Sequence, residues 1–243
     1  VNIGVFVYDF PHQKSAEGLM RLISERYKPL CALSAPKKQL TFYSSHKRLG
    51  LQGIEHLHPK DICYNADIPY HVVEHNSDIT ANLIKTYNLD IGIILGSRIL
   101  SNKIIKSFNK GVINMHPGVL PHNRGLDNIL WAVHDNLPQG ITTHFIDKYI
   151  DKGSLISRKT IQVYNDDTWQ DITMRLHYLQ MHSMIEALNR LSNGEAFYIN
   201  FGDGKYNNGM PIEIEEKIED MFINYKNNYD KILSEFSKYD DTF

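Results

Sequence analysis

Asp90-Ile91-Gly92-Ile93-Ile94-Leu95 decides the fold. It is a short apolar run rich in β-branched residues, with no polar alternation, and it reads as a strand buried in the middle of a sheet. On its N-terminal side the pattern predicts a helix from Asp78 to Tyr87, with Asp78 as N-cap, preceded by a short strand at Tyr70-His71-Val72-Val73. On its C-terminal side come a short helix from Asn102 to Phe108 and a strand from Val112 to Met115. Further upstream the reading is a strand over 2–8, a helix over 16–27, a strand at Leu40-Thr41-Phe42-Tyr43 and irregular chain over 46–68. Strands alternating with helices in this way predict an α/β fold, a Rossmann-like, mostly parallel sheet. Parallel sheets bind ligands at the carboxyl ends of their strands, which here are 8–15, 96–100 and 116–124.

The second half adds a helix at 126–135, strands at 140–148 and 155–162, and a long helix from Thr168 to Leu191. Thr168-x-x-Asp171 resembles a capping box, and Gly194 suits the position just past the helix end. Gly202-Asp203-Gly204 signals a hairpin. Ile218, Met221, Phe222, Tyr225, Tyr229, Ile232, Leu233 and Phe236 then form an apolar stripe at helical spacing. The expected division is a catalytic domain over 1–195 and a small hairpin and helix extension over 196–243. The stripe packs on the body or on a second subunit, and a homodimer is the expectation.

Composition bounds the function. A net charge of -2 and a pI near 6.7 give little counterion release, which argues against nucleic acid as the main partner. No apolar run reaches the length of a membrane span. The only two cysteines, Cys31 and Cys63, form no Cys-x-x-Cys pattern and read as reduced thiols. A cytoplasmic protein acting on small molecules is expected.

Asn114-x-His116 closes the strand that starts at Val112, because Pro117 and Gly118 break it. Residues two apart in an extended segment point to the same side. An amide and an imidazole therefore meet at the functional edge, and a carboxylate follows at Asp151, in Tyr149-Ile150-Asp151-Lys152-Gly153. An amide donor for an oxyanion, a proton acceptor and an anion to tune it suit acyl transfer between nitrogens. By themselves, a histidine at a strand end and an aspartate before a turn also fit plain structural roles. His122 and His144 lie near in sequence, yet no spacing matches a zinc pattern, so no metal is expected.

Ile113-Asn114-Met115-His116-Pro117-Gly118-Val119-Leu120-Pro121-His122-Asn123-Arg124-Gly125 resembles the signature of the folate-dependent formyltransferases. The resemblance continues through Gly140-Ile141-Thr142-Thr143-His144-Phe145 to Ile150-Asp151-Lys152-Gly153. Upstream it includes Ile94-Leu95-Gly96-Ser97-Arg98-Ile99-Leu100. It implies N10-formyltetrahydrofolate as co-substrate and an Asn114–His116–Asp151 catalytic triad. It also implies a folate pocket walled by Arg98, Ile99, Leu100, Tyr149 and Ile150.

The first loop, Tyr8-Asp9-Phe10-Pro11-His12-Gln13-Lys14-Ser15, lacks the glycines with which the purine-pathway relative holds a phosphate. A methionyl-tRNA enzyme would carry a larger C-terminal domain and more basic surface, and a formyltetrahydrofolate hydrolase a further N-terminal domain. The expectation is therefore a nucleotide-sugar N-formyltransferase acting on dTDP-4-amino-4,6-dideoxyglucose for surface polysaccharide. Lys14, Arg124, Phe10 and Tyr206 are candidates to contact its diphosphate and base. The alternatives are phosphoribosylglycinamide formyltransferase and formyltetrahydrofolate hydrolase.

Overall fold

A computed structural model describes residues 1–38, 49, 55–147, 153–195, 197 and 202–237. The first half alternates β1 (Ile3–Tyr8), α1 (Gln13–Ser24), β2 (Cys31–Ala35), α2 (Pro59–Asn65), β3 (Tyr70–Val72), α3 (Asp78–Thr86), β4 (Ile91–Ile94), α4 (Asn102–Ile105) and β5 (Gly111–His116). The second half holds β6 (Arg124–Gly125), α5 (Asn128–His134), β7 (Gly140–Phe145), β8 (Leu155–Thr160), α6 (Trp169–Ser192), β9 (Tyr206–Asn207), α7 (Ile212–Glu215), α8 (Ile218–Asn227) and α9 (Tyr229–Ser237). Seven strands form one sheet in the order β3-β2-β1-β4-β5-β7-β8. The first five run parallel and the last two pair antiparallel. The expected α/β fold with a mostly parallel sheet is present.

Helices cover both faces, as a sheet buried on two sides requires. One face packs on α1 and α6 through Leu19, Leu22, Ile172, Leu176, Met184 and Leu188. The other packs on α3 and α4 through Ala81, Ile84, Ile104 and Ile105. Gly18 lets α1 lie against the sheet: a Cβ there would stand 2.4 Å from a Leu95 methyl.

Several local expectations need correction. β2 lies at Cys31-Ala32-Leu33-Ser34-Ala35, a strand of small residues with little β-branching, held by burial on both faces. The strand expected at 40–43 lies outside the described residues. Part of the stretch read as irregular is helix α2, with Pro59 at its first turn and His58 capping it. The cap of α3 is Ser77, whose side chain accepts from the Thr80 amide, and not Asp78. The capping box on α6 is formed by Thr168 and Asp171, as expected.

The C-terminal stripe packs on the chain itself. Ile218, Phe222, Tyr225, Tyr229 and Ile232 join the same core as α1 and α6. Tyr225 donates to Leu137 O at 2.7 Å and Tyr229 to Ile161 O at 2.8 Å. Phe222 stacks on Trp169 with ring centroids 3.9 Å apart. The stripe is therefore no argument for a second subunit. The Gly202-Asp203-Gly204 segment follows residues outside the described ones, where the first strand of the expected hairpin would lie. It leads into β9, which pairs in parallel with β6. Gly204 serves close approach, since a Cβ there would meet the Pro121 carbonyl at 1.8 Å.

Candidate active site

β5 carries Asn114 and His116 to the carboxyl edge of the sheet, on the same side of the strand. β7 runs antiparallel beside it and sets His144 opposite Asn114 and Thr142 opposite His116. His144 is buried, and its Nδ1 donates to Phe145 O at 3.2 Å. Thr142 fixes the chain that follows His116: its hydroxyl donates to Gly118 O at 2.7 Å and accepts from the Leu120 amide at 3.0 Å. Pro117 ends the ladder, and the Gly118 amide turns back to His116 O at 2.9 Å.

His116 is 3% exposed, and its Nε2 lies 2.9 Å from Asn123 O. A carbonyl only accepts, so Nε2 carries the proton in the neutral ring and the lone pair resides on Nδ1. The loop from Pro117 to Asn123 thus selects the tautomer as well as the orientation of the imidazole. Gly118 sits beneath the ring: a Cβ there would come within 2.6 Å of Asn123 O and 2.9 Å of His116 Nε2. Gly118→Ala is expected to force these two groups apart and lower turnover about tenfold or more, the scale of a misplaced catalytic group. Steady-state kinetics alongside circular dichroism will separate that from unfolding, and wild-type turnover in a folded variant would refute it.

Met115 O, between the two site residues, accepts from Gln180 Nε2 at 2.7 Å and Lys14 Nζ at 3.4 Å. Burial pushes the Lys14 ammonium down to about 8. Lys14 therefore lies against the strand that carries the site. His12 caps α1 through the Ser15 amide, and burial, with Lys14 adding to it, holds the imidazole down to about 4. Phe10 stacks on Tyr8 at 5.0 Å, and Tyr8 donates to Ser97 O at 2.8 Å, tying the loop after β1 to the loop after β4. The sheet changes winding direction between β1 and β4, so this tie spans the crevice where α/β sheets receive ligands.

The other expected residues are distributed as follows. Arg98 turns toward β2 and donates to Pro36 O at 2.8 Å. Leu100 packs into the core against α3 and α4, whereas Ile99 is 71% exposed at the mouth of the crevice. Arg124 is buried, donates to Gly204 O at 3.1 Å and lies 6.0 Å from the Tyr206 ring centroid, so these two residues meet each other where the C-terminal segment closes on the loop. Tyr149, Ile150 and Asp151 lie outside the described residues. Among the described residues no group of three or more His, Cys, Asp or Glu side chains is set to hold a metal. His122 is exposed and faces Phe236, with ring centroids 5.2 Å apart.

Sequence reasoning assigned no role to Thr142, Gln180, Gly118 or Asn123. Gly118 and Asn123 stood within the quoted motif, and the glycine directly after His-Pro was the available signal. Thr142 and Gln180 act across 24 and 65 positions of sequence, and no local pattern shows such contacts.

Comparison with known proteins gives this arrangement a family. The methionyl-tRNA formyltransferase of Caldanaerobacter subterraneus subsp. tengcongensis is 29% identical over 184 residues, covering 73% of this chain and 56% of that protein. The chain thus spans little more than half the length of that relative. The phosphoribosylglycinamide formyltransferase of Anaplasma phagocytophilum superposes with a TM-score of 0.63 at 18% identity, covering 79% of this chain and 87% of that one. A sugar N-formyltransferase from Shewanella sp. FDAARGOS_354 superposes with a TM-score of 0.58 at 18% identity, covering 85% and 76%. At those identities the two structures speak to the fold. The family described as formyl transferase matches residues 32–188, well over half of the chain, and the protein belongs to that family.

Proposed function

We propose that the protein transfers a formyl group from N10-formyltetrahydrofolate to the amino group of a nucleotide-linked amino sugar, with dTDP-4-amino-4,6-dideoxyglucose as the acceptor. The donor supplies a formyl carbon activated by its nitrogen leaving group. Asn114 donates its amide N–H to the oxygen on which negative charge gathers, an interaction worth about 100- to 1,000-fold in rate. His116 accepts the amine proton on Nδ1, the nitrogen left basic by the Asn123 contact. Asp151 completes the set as the anion that favours the imidazolium formed in that step. Ile99, uncovered at the mouth of the crevice, offers an apolar surface suited to the flat pterin.

The observation that carries the acceptor class is the loop after β1. Tyr8, Phe10 and His12 pack there ring against ring, where a phosphate cradle would need glycine backbone. Aromatic faces beside a half-buried ammonium at Lys14 suit a nucleobase and diphosphate better than a lone phosphate.

Thermal denaturation with candidate acceptors tests it. The nucleotide sugar is expected to raise Tm, since saturation at about 100 times Kd adds about 2.7 kcal/mol to the native state. Stabilisation by glycinamide ribonucleotide and not by the nucleotide sugar would move the assignment to the purine substrate.

A further inference from the structure

A file of buried asparagines runs from the C-terminal segment to the catalytic strand. Asn207, on β9, is 2% exposed and donates through Nδ2 to Asn123 Oδ1 at 3.3 Å. Asn123 is 1% exposed, donates through its own Nδ2 to Asn128 O at 2.7 Å, and offers its main-chain carbonyl to His116 Nε2. Asn128 in turn donates to Gly125 O at 2.9 Å. The backbones are locked around this file. Asn207 O accepts from the Leu126 amide at 2.9 Å, and a Cβ on Gly125 would stand 2.0 Å from that same oxygen.

Asn207 has no obvious reason to be polar. Among the described residues its buried Oδ1 meets no hydrogen-bond donor, so the amide bears a desolvation cost that an apolar residue of similar size would avoid. Its Nδ2 bonds to the residue that dictates the tautomer of His116. The contact spans 84 positions of sequence and joins the C-terminal segment to the site.

We propose that Asn207 is a positioning residue for His116, acting through Asn123, so that the C-terminal segment completes the active site. The Asn123 peptide is held from both ends of its side chain, by Asn128 and by Asn207. That clamp keeps its carbonyl directed at Nε2 and keeps the His116 lone pair on Nδ1.

This rests on the reading of His116 as the proton-handling group, but its first readout needs no substrate. In protein labelled with nitrogen-15 at histidine, wild-type His116 is expected to show the Nε2–H tautomer at alkaline pH. Asn207→Leu, and Asn207→Ser as a second variant that adds no bulk, are expected to show a mixture of the two tautomers in folded protein. Turnover with N10-formyltetrahydrofolate should fall about tenfold while KM for the donor stays within twofold. Adding Asn207→Leu to Asn123→Ala should cost nothing further, because the two residues act as one unit. Lys205→Ala, which removes an exposed ion pair of the same segment with Asp135, is expected to leave both readouts unchanged. An unchanged tautomer in both Asn207 variants, or losses that multiply in the double variant, would overturn the proposal. Full activity of His116→Ala would instead overturn the reading on which it rests.

Discussion

Replacing His116 with alanine is expected to reduce formyl transfer by about 100- to 10,000-fold, the range for loss of a positioned proton acceptor. Asn114→Ala should cost about 100- to 1,000-fold, as an oxyanion donor does. Both losses should appear in kcat, because neither side chain is asked to hold the ground state of the substrate. The side chain of His116 hydrogen-bonds a loop carbonyl, and Asn114 sits half-buried at the strand end, so the sheet should survive either change. The pair should also be non-additive, since the two groups serve one bond-forming step. Single-turnover kinetics with circular dichroism will decide this. Near-wild-type rates in either folded variant would remove that residue from the chemistry.

The second large effect concerns stability. His75 is 1% exposed, edge-on to Phe6 at 5.1 Å, and donates from Nε2 to Leu33 O at 3.0 Å. Burial is the main cause that pushes its imidazolium down to about 4, and the nearby Arg98 guanidinium adds to it. The ring is therefore neutral in the native state, while in the unfolded chain it takes a proton below about 6.5. Between those values the unfolded state binds more protons, so stability is complete above pH 6.5 and is lost as pH falls toward 4. The full span amounts to about 3 kcal/mol, of which about 2 is lost by pH 5. Urea unfolding of the wild type at pH 7.5 and pH 5, against His75→Phe, will check it. The variant should be less stable at pH 7.5, having left Leu33 O without its donor, yet should lose much less on acidification. An identical acid loss in both proteins would place the proton uptake elsewhere, with His12 the first group to examine.

How much of this was legible in the sequence depended on whether the determining contacts were local. β4 stood out because burial on both faces leaves an uninterrupted apolar run. α6 declared its start through the reciprocal Thr168 and Asp171 cap, a device contained within four residues. Cys31–Ala35 carries no such signature, since its strand character comes from pairing with β1 and β3. Asn114 and His116 could be placed on one side of one strand from spacing alone. The hydrogen bond that sets the His116 tautomer could not, because it depends on how the loop after Pro117 folds back. The apolar stripe of the C-terminal helices was readable, and its target was not. Tyr225 and Tyr229 find Leu137 and Ile161 at separations of 88 and 68 residues. Arg124 and Tyr206 were singled out as separate substrate contacts, and the structure brings them to each other at the β6–β9 pair.

The most direct test of the account follows the formyl group itself. Enzyme is mixed with N10-formyltetrahydrofolate carrying an isotopic label in the formyl carbon, together with dTDP-4-amino-4,6-dideoxyglucose, and the labelled product is identified. Label is expected on the sugar nitrogen with wild-type enzyme, and almost none with His116→Ala. Label recovered only as formate, or transferred equally well by His116→Ala, would contradict it.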